Sequence, residues 1–397
     1  MDKKQLGLFN LKIHYIWTFF SSFLFLSPIM WLFYKYHWLS VNDIIFISSI
    51  YTFLAVFLEL PTSTLGDSIG RVKVLKYSIL SSYVALLIYF LSPTHIWFYV
   101  AIFFSALWSS LWSGTGHAKL QEDLEAAGKE KQFWKVIWRL ISLQRIGQLL
   151  TPIVIFLVLK YFLNWYNILA WLDVLCYLLA IYFVFQFKEI DCNDVISDKS
   201  YKEKIQIQIT IFKTWFSHLF KHKKLLSLLI IMILANDLHF IWRIILPTLS
   251  SNWVKDFISS QTVWITTFVW ILCSFISHKI ANKIWLEKTI LWVIFINFIC
   301  HIFAYIYFDN NIILVLFYTW IVFLAGIFGP TRNHLLMNFS NIKEKATVRS
   351  LFLMIIWFFE FLLLFIFSFI SVKLSIVIIT IMMFFAIIFW FFSLRNN

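Results

Sequence analysis

Runs of about 20 apolar residues, the length that carries a helix across a bilayer core, recur from one end of this chain to the other. Twelve can be drawn: 12–34, 43–65, 73–92, 95–113, 136–159, 164–187, 225–250, 257–280, 287–308, 312–335, 348–371 and 373–394. A soluble core could not absorb them. Of the 397 residues, 61% are hydrophobic and 13% charged, whereas a soluble domain carries about 25% charged residues. The runs are continuous rather than alternating, which argues against a transmembrane barrel. The expected fold class is therefore an all-α polytopic membrane protein. The first run follows Lys3 and Lys4 much as a signal peptide would. It has no small-residue cleavage site, and it reads as a retained first span.

The basic residues set the orientation. With both termini on the cytoplasmic side, the outer loops hold only Lys35, Lys160, Lys255 and Lys373 of the 33 Lys and Arg. This asymmetry follows the positive-inside rule and accounts for the net charge of +13 without a nucleic-acid partner. The longest polar stretch, from Lys188 to Lys224, divides the chain into an N-terminal bundle over 1–187, a linker over 188–224 and a C-terminal bundle over 225–397. Within the linker, Tyr201–Phe220 either lies on the inner membrane surface as an amphipathic segment or is a plain connection. The four cysteines have neither metal-ligand nor disulfide spacing. No cofactor or metal is expected. Nothing in the chain resembles a HEXXH site, a phosphate loop or a Walker sequence, so a membrane enzyme is disfavoured.

One polar passage stands between the second and third spans, "ELPTSTLGDSIGRVKVLK", Glu59 to Lys76. Gly70 permits a tight bend. Asp67 can accept hydrogen bonds from helix N-terminal amides, where the macrodipole favours an anion. Arg71 can pair with an acid or with carbonyl oxygens. Glu59, Asp67, Gly70, Arg71 and Lys73 together read as a charged cytoplasmic gate.

"GDSIGRVK" after the second of twelve spans resembles the signature loop of the major facilitator superfamily, with Asp67, Gly70 and Arg71 at its core. Glu59-Leu60-Pro61-Thr62 is similar to the lead-in of efflux-type members. Ser63, Ser68 and Val72 depart from the pattern. "SGTGHAKLQEDLEAAGKEKQFWKVIWR" resembles the loop after the fourth span through Ser113, Gly114, Thr115, Ala118, Glu122, Gly128 and Arg139. "GPTRNHLLMNFSNIKEKATVRS" resembles the junction after the tenth span through Pro330, Asn338, Ala346, Thr347 and Ser350. The second-half copy of the signature loop, Ser277 to Lys288, keeps only a basic turn. The resemblance implies two six-helix bundles around a central cavity, working by alternating access. Asp67 and Arg71 would latch the cytoplasmic side in the outward-facing state.

Ionisable residues at membrane depth are costly and call for a reason. Glu360 in the eleventh span, Asp237 and Arg243 in the seventh and Arg145 in the fifth fall on spans that line the cavity in the related fold. They are the candidates for handling protons or substrate. Asp173 and His301 read as satisfied packing residues. The fourth span lacks the arginine of many proton-coupled members, and Gly147 with Pro152 partly matches the antiporter motif of the fifth span. The function implied is proton-coupled export of an amphipathic drug, toxin or peptide antibiotic by a monomer in the bacterial plasma membrane. The alternatives are a nutrient importer or facilitator, and a non-transporting protein of the same fold.

Overall fold

The computed structural model describes residues 1–63, 65–91, 94–162, 164–190, 223–235, 286–338 and 345–393, with isolated residues between 203 and 269. The described residues form helices and no strands. Among the described residues, seven helices are long and apolar enough to cross a membrane, and two shorter apolar helices cover Ile312–Phe328 and Met354–Phe367. The expected eighth span and most of the seventh lie outside the described residues, as does nearly all of the linker.

The chain forms two compact units. The first holds Met1–Phe33 and Phe53–Thr210. Its helices are α1 (Lys3–Ser21), the later part of α3 (Val41–Ser63), α4 (Leu65–Ile69), α5 (Arg71–Leu91), α6 (His95–Ala126), α7 (Phe133–Tyr161) and α8 (Trp165–Phe185). Helix α5 packs along α6, and α1 lies against α6, α7 and α8. On α8 the buried residues Leu169, Ala170, Asp173, Val174, Tyr177, Ala180 and Val184 recur at helical spacing. Trp171, Leu175, Leu178 and Tyr182 are exposed on the other side. Apolar residues thus cover both faces, as a lipid-bathed helix requires. The inward faces of α1, α5 and α8 meet in one cluster containing Ile13, Trp17, Val72, Leu75, Ile79, Tyr177, Ala180, Val184 and Phe187.

The first expected span is not one helix. Helix α1 stops at Ser21, and the chain resumes in a 3-10 turn, Ser27–Ile29, that leads into α2 (Met30–Tyr36). Pro28 lies within the first positions of the new turn, where its missing N–H costs nothing. Close approaches use the few glycines available. A Cβ at Gly7 on α1 would lie 2.6 Å from the Asp123 carbonyl oxygen and 2.7 Å from the Ala127 nitrogen of α6. Both are backbone atoms that cannot turn aside. Gly7→Val is expected to destabilise the protein by about 1–3 kcal/mol through overpacking, read as a lower thermal midpoint in detergent. A serine hydroxyl also crosses between helices, Ser78 Oγ donating to the Trp108 carbonyl at 3.2 Å.

The second unit holds Tyr34–Thr52 and Ile211–Asn397. Its later helices are α9 (Lys223–Leu234), α10 (Leu286–Ile306), α11 (Asn311–Asn338), α12 (Lys345–Phe367) and α13 (Val372–Ser393). Helix α10 packs on α13 and α11, and α9 on α13 and α12. The first part of α3 belongs here. Phe46 sets its ring 6.0 Å from Phe365 and 6.4 Å from Phe369. Helix α3 is thus shared between the units, with Thr52 in one and Phe53 in the other.

Candidate functional site: a charged clasp around Gly70

The clasp begins where α3 ends. Pro61 sits inside the last turn of α3, where it removes a backbone donor. The Thr62 hydroxyl donates to the Leu58 carbonyl at 2.8 Å. Two residues before the proline, Glu59 is 8% exposed. Ser113 Oγ of α6 lies 2.7 and 2.8 Å from its two carboxylate oxygens. The short helix α4 then ends at Ile69, and Gly70 turns the chain with φ 97°. The predicted bend is therefore a one-turn helix closed by a left-handed glycine.

Helix α5 starts at Arg71, and its first amides need acceptors. Glu189, just past α8, supplies them. Its carboxylate accepts from Arg71 N at 3.0 Å and from Val72 N at 3.2 Å. An anion at this position is also favoured by the helix macrodipole. A Cβ on Gly70 would lie 3.3 Å from Glu189 Oε1. Gly70→Ala is expected to cost about 1–2 kcal/mol for the left-handed backbone alone, with further loss from crowding Glu189. Gly128 is the control: it has φ 68° and nothing within 4 Å of its Cβ position, so Gly128→Asn should be close to neutral in the same thermal unfolding assay.

The Arg71 guanidinium reaches α6. Its Nη1 donates to the Ala118 carbonyl at 3.2 Å and pairs with Glu122 Oε1 at 2.6 Å. Behind this pair lies a second, buried layer. Lys119 Nζ sits 2.8 Å from Asp123 Oδ1 and 3.7 Å from Glu122 Oε2. Lys119 and Asp123 are both 0% exposed. Asp123 Oδ1 also accepts from Asn10 Nδ2 at 2.7 Å, and His14 Nε2 lies 2.9 Å from Asp123 Oδ2. Asn10 turns its carboxamide to the main chain of Lys188 as a strand neighbour would. It donates to the Lys188 carbonyl at 2.9 Å and accepts from Lys188 N at 3.2 Å. Helix α1, the end of α6, the start of α5 and the segment after α8 are thus closed into one ring of polar contacts.

Of the expected gate residues, Glu59, Gly70 and Arg71 take part in this arrangement. Lys73 is exposed, one turn into α5, and the side chain of Asp67 lies outside the described residues. The carboxylate found at the start of α5 is that of Glu189. Sequence reasoning missed Asn10, His14, Asp123 and Glu189, and gave Lys119 no part in the gate. Two local signals were available. Lys119 and Asp123 are opposite charges four apart near the end of an apolar helix, and Asn10 and His14 are polar residues four apart where the first span begins.

The expected membrane-depth residues are spread over both units. Arg145 on α7 donates from Nη1 to Gln148 Oε1 at 2.6 Å. Glu360 on α12 is 4% exposed. Asp237 and Arg243 lie outside the described residues. His301 is buried on α10, with Nδ1 2.8 Å from the Asn297 carbonyl. Asp173 accepts two backbone hydrogen bonds from the break in the first span. Among the described residues, no group of His, Cys, Asp and Glu is arranged to hold a metal ion.

A helical membrane protein with a charged clasp between its second and third membrane spans has the features of a secondary transporter. The family model for the Major Facilitator Superfamily matches residues 15–362, and the chain belongs to that superfamily. Its bilayer setting and its class of cargo, small molecules, come with the family. Among solved structures, the peptide transporter POT is similar, with TM-score 0.78 and 12% identity over 100% of this chain and 98% of that one. The nucleoside transporter NupG is similar with TM-score 0.73 and 14% identity, covering 97% of this chain and 98% of that one. A D-xylose-proton symporter has TM-score 0.73 and 11% identity, covering 98% of each chain. A search of curated proteins finds no match.

Proposed function

We propose that the chain is a proton-coupled exporter of an amphipathic small molecule, such as a drug, a toxin or a peptide antibiotic, working by alternating access in a bacterial plasma membrane. In this reading it is a monomer with both termini cytoplasmic, and its six-helix bundles over 1–187 and 225–397 are joined by 188–224. The observation that carries the reading is the clasp. Arg71 reaches from the first turn of α5 to Ala118 and Glu122 at the end of α6, at the position where the superfamily carries its gating loop. A gate of this kind holds one face of a bundle together by a few charge-assisted contacts and releases it when they break. Asp67 and Lys73 complete the gate. Glu360 and Asp237 serve as carriers of protons or ligands for substrate, with Arg145 and Arg243 as their basic counterparts. The aromatic content of 21% suits a lipophilic cargo.

The test is growth of an efflux-deficient bacterium expressing the chain, challenged with lipophilic cations, common antibiotics and peptide toxins. The expected result is resistance that Glu360→Gln and Asp67→Asn both remove. Absence of any resistance, with the protein shown to be in the membrane, would overturn export. A second reading, proton-coupled uptake of a nutrient, is favoured by the likeness to a protein named a D-xylose-proton symporter. In that case labelled nutrients would accumulate in the same cells when the medium is made acidic.

A further inference from the structure

Asp173 does more than fill space. At membrane depth a broken helix is a problem, because its freed amides find no water. The amides of Phe25 and Leu26 fall in the break between α1 and the turn at Ser27–Ile29. Asp173 of α8 meets both: Phe25 N donates to Oδ1 at 2.6 Å and Leu26 N to Oδ2 at 3.0 Å. Asp173 is 2% exposed, and among the described residues no cation forms an ion pair with it. Among the described residues, its oxygens are met by these two amides.

A carboxylate has two equivalent acceptor oxygens and fits two donors. A neutral carboxylic acid does not, since one oxygen then carries a hydrogen that must itself be donated. Both arrangements cannot be satisfied by one geometry of the break. The surroundings also leave it little slack. Gly147 of α7 packs so tightly on Ser22 that a Cβ there would fall 1.8 Å from the Ser22 hydroxyl oxygen. A shift at residues 22–26 therefore presses on α7, two residues from Arg145.

Several titratable groups on the helices packed against α8 have partners of their own. On α8 itself, Tyr177 accepts from Ser82 Oγ of α5 at 3.0 Å, and Cys176 is the remaining neighbour. On α1, His14 faces Asp123. On α5, Lys76 lies over the Phe185 ring, and Arg71 pairs with Glu122. On α7, Arg145 binds Gln148 and Lys160 lies over the Tyr161 ring.

We propose that Asp173 is a proton-binding site and that its charge state sets the geometry of the break in the first membrane span. The use of this site in coupling rests on the proton-driven reading above; the site itself does not. When the carboxyl is ionised, both amides are held. Taking up a proton turns one acceptor into a donor, releases one amide and lets the outer part of the span, from Ser27 on, swing from the inner part.

The test is hydrogen–deuterium exchange of the full chain in lipid nanodiscs, read on peptides covering residues 19–30 from alkaline to acidic pH and corrected for intrinsic exchange. Protection at one of the two amides, Phe25 or Leu26, should fall roughly tenfold on acidification, the weight of one lost hydrogen bond. In Asp173→Asn it should be low and independent of pH. A flat profile in the unaltered protein, or a wild-type step that survives in Asp173→Asn, would overturn the proposal. If Asp173→Asn does not fold, Asp173→Glu takes its place. A step whose midpoint moves with the longer side chain supports residue 173, and a midpoint that stays put assigns the proton elsewhere and overturns it. A chain that moves no substrate yet shows the step would sink the transport reading alone, and a transporting chain without it would sink the proton site alone.

Discussion

Asp123→Ala is expected to destabilise the protein by about 3–5 kcal/mol, the cost of stranding a buried charge. Lys119 is 0% exposed, and its ammonium lies 2.8 Å from the carboxylate that would be removed. Glu122 is 3.7 Å from the same ammonium and only partly replaces it. Asn10 and His14 lose the same acceptor, so a single truncation disturbs α1 as well as α6. An exposed ion pair would give about 0–1 kcal/mol, and that difference makes the measurement decisive. Thermal unfolding in detergent of Asp123→Ala, Lys119→Met and the double variant Lys119→Met with Asp123→Leu forms the test. The double variant should recover part of the loss, since a well-packed apolar replacement of a buried pair is often neutral but Asn10 and His14 still lack their acceptor. If Asp123→Ala costs less than about 1 kcal/mol, the buried layer is not what holds α1 to α6.

The second large effect concerns transport. Arg71→Ala should slow substrate movement roughly tenfold, because a hydrogen bond to a charged group contributes about 1.5–3 kcal/mol and the Arg71 guanidinium reaches both Ala118 and Glu122. The pair is partly exposed, with side chains 27% and 20% accessible, which places the effect at the lower end of that range. Arg71→Lys should fall between, since an ammonium has no planar fork to span a carbonyl and a carboxylate together. Glu122→Gln should resemble Arg71→Ala, and combining the two should add little, as expected for residues acting as one unit. Initial rates in proteoliposomes under an imposed pH gradient would show this. Full additivity of the two substitutions would mean that Arg71 and Glu122 act separately and that there is no clasp.

How much of this could be read from the sequence follows from how far apart the partners lie. The apolar runs declare themselves over about 20 residues. Gly70 and Arg71 stand in one short polar passage, and they proved to be its structural centre. Glu189, by contrast, is 118 residues from Arg71, and Asp123 is 109 from His14. No local periodicity joins such pairs. The first span looked uniform because its residues are apolar throughout. Its break shows only in Ser27-Pro28, and the carboxylate that makes the break tolerable comes from Asp173, 148 residues from Phe25. Setting Asp173 aside as a packing residue was right about its satisfied bonds. It did not show that those bonds lie on another helix's open backbone.

Helix α3 carries a consequence for anyone who would divide the molecule. Residues 34–52 pack with the second unit, although the covalent chain joins them on both sides to the first. A fragment ending at Ile190 would carry this hairpin with its Phe46 face bare, and a fragment beginning later would offer Phe365 and Phe369 with nothing to receive. The second unit is thus incomplete in either piece. Splitting the gene in the linker should give working protein only when both pieces are made together in the same membrane.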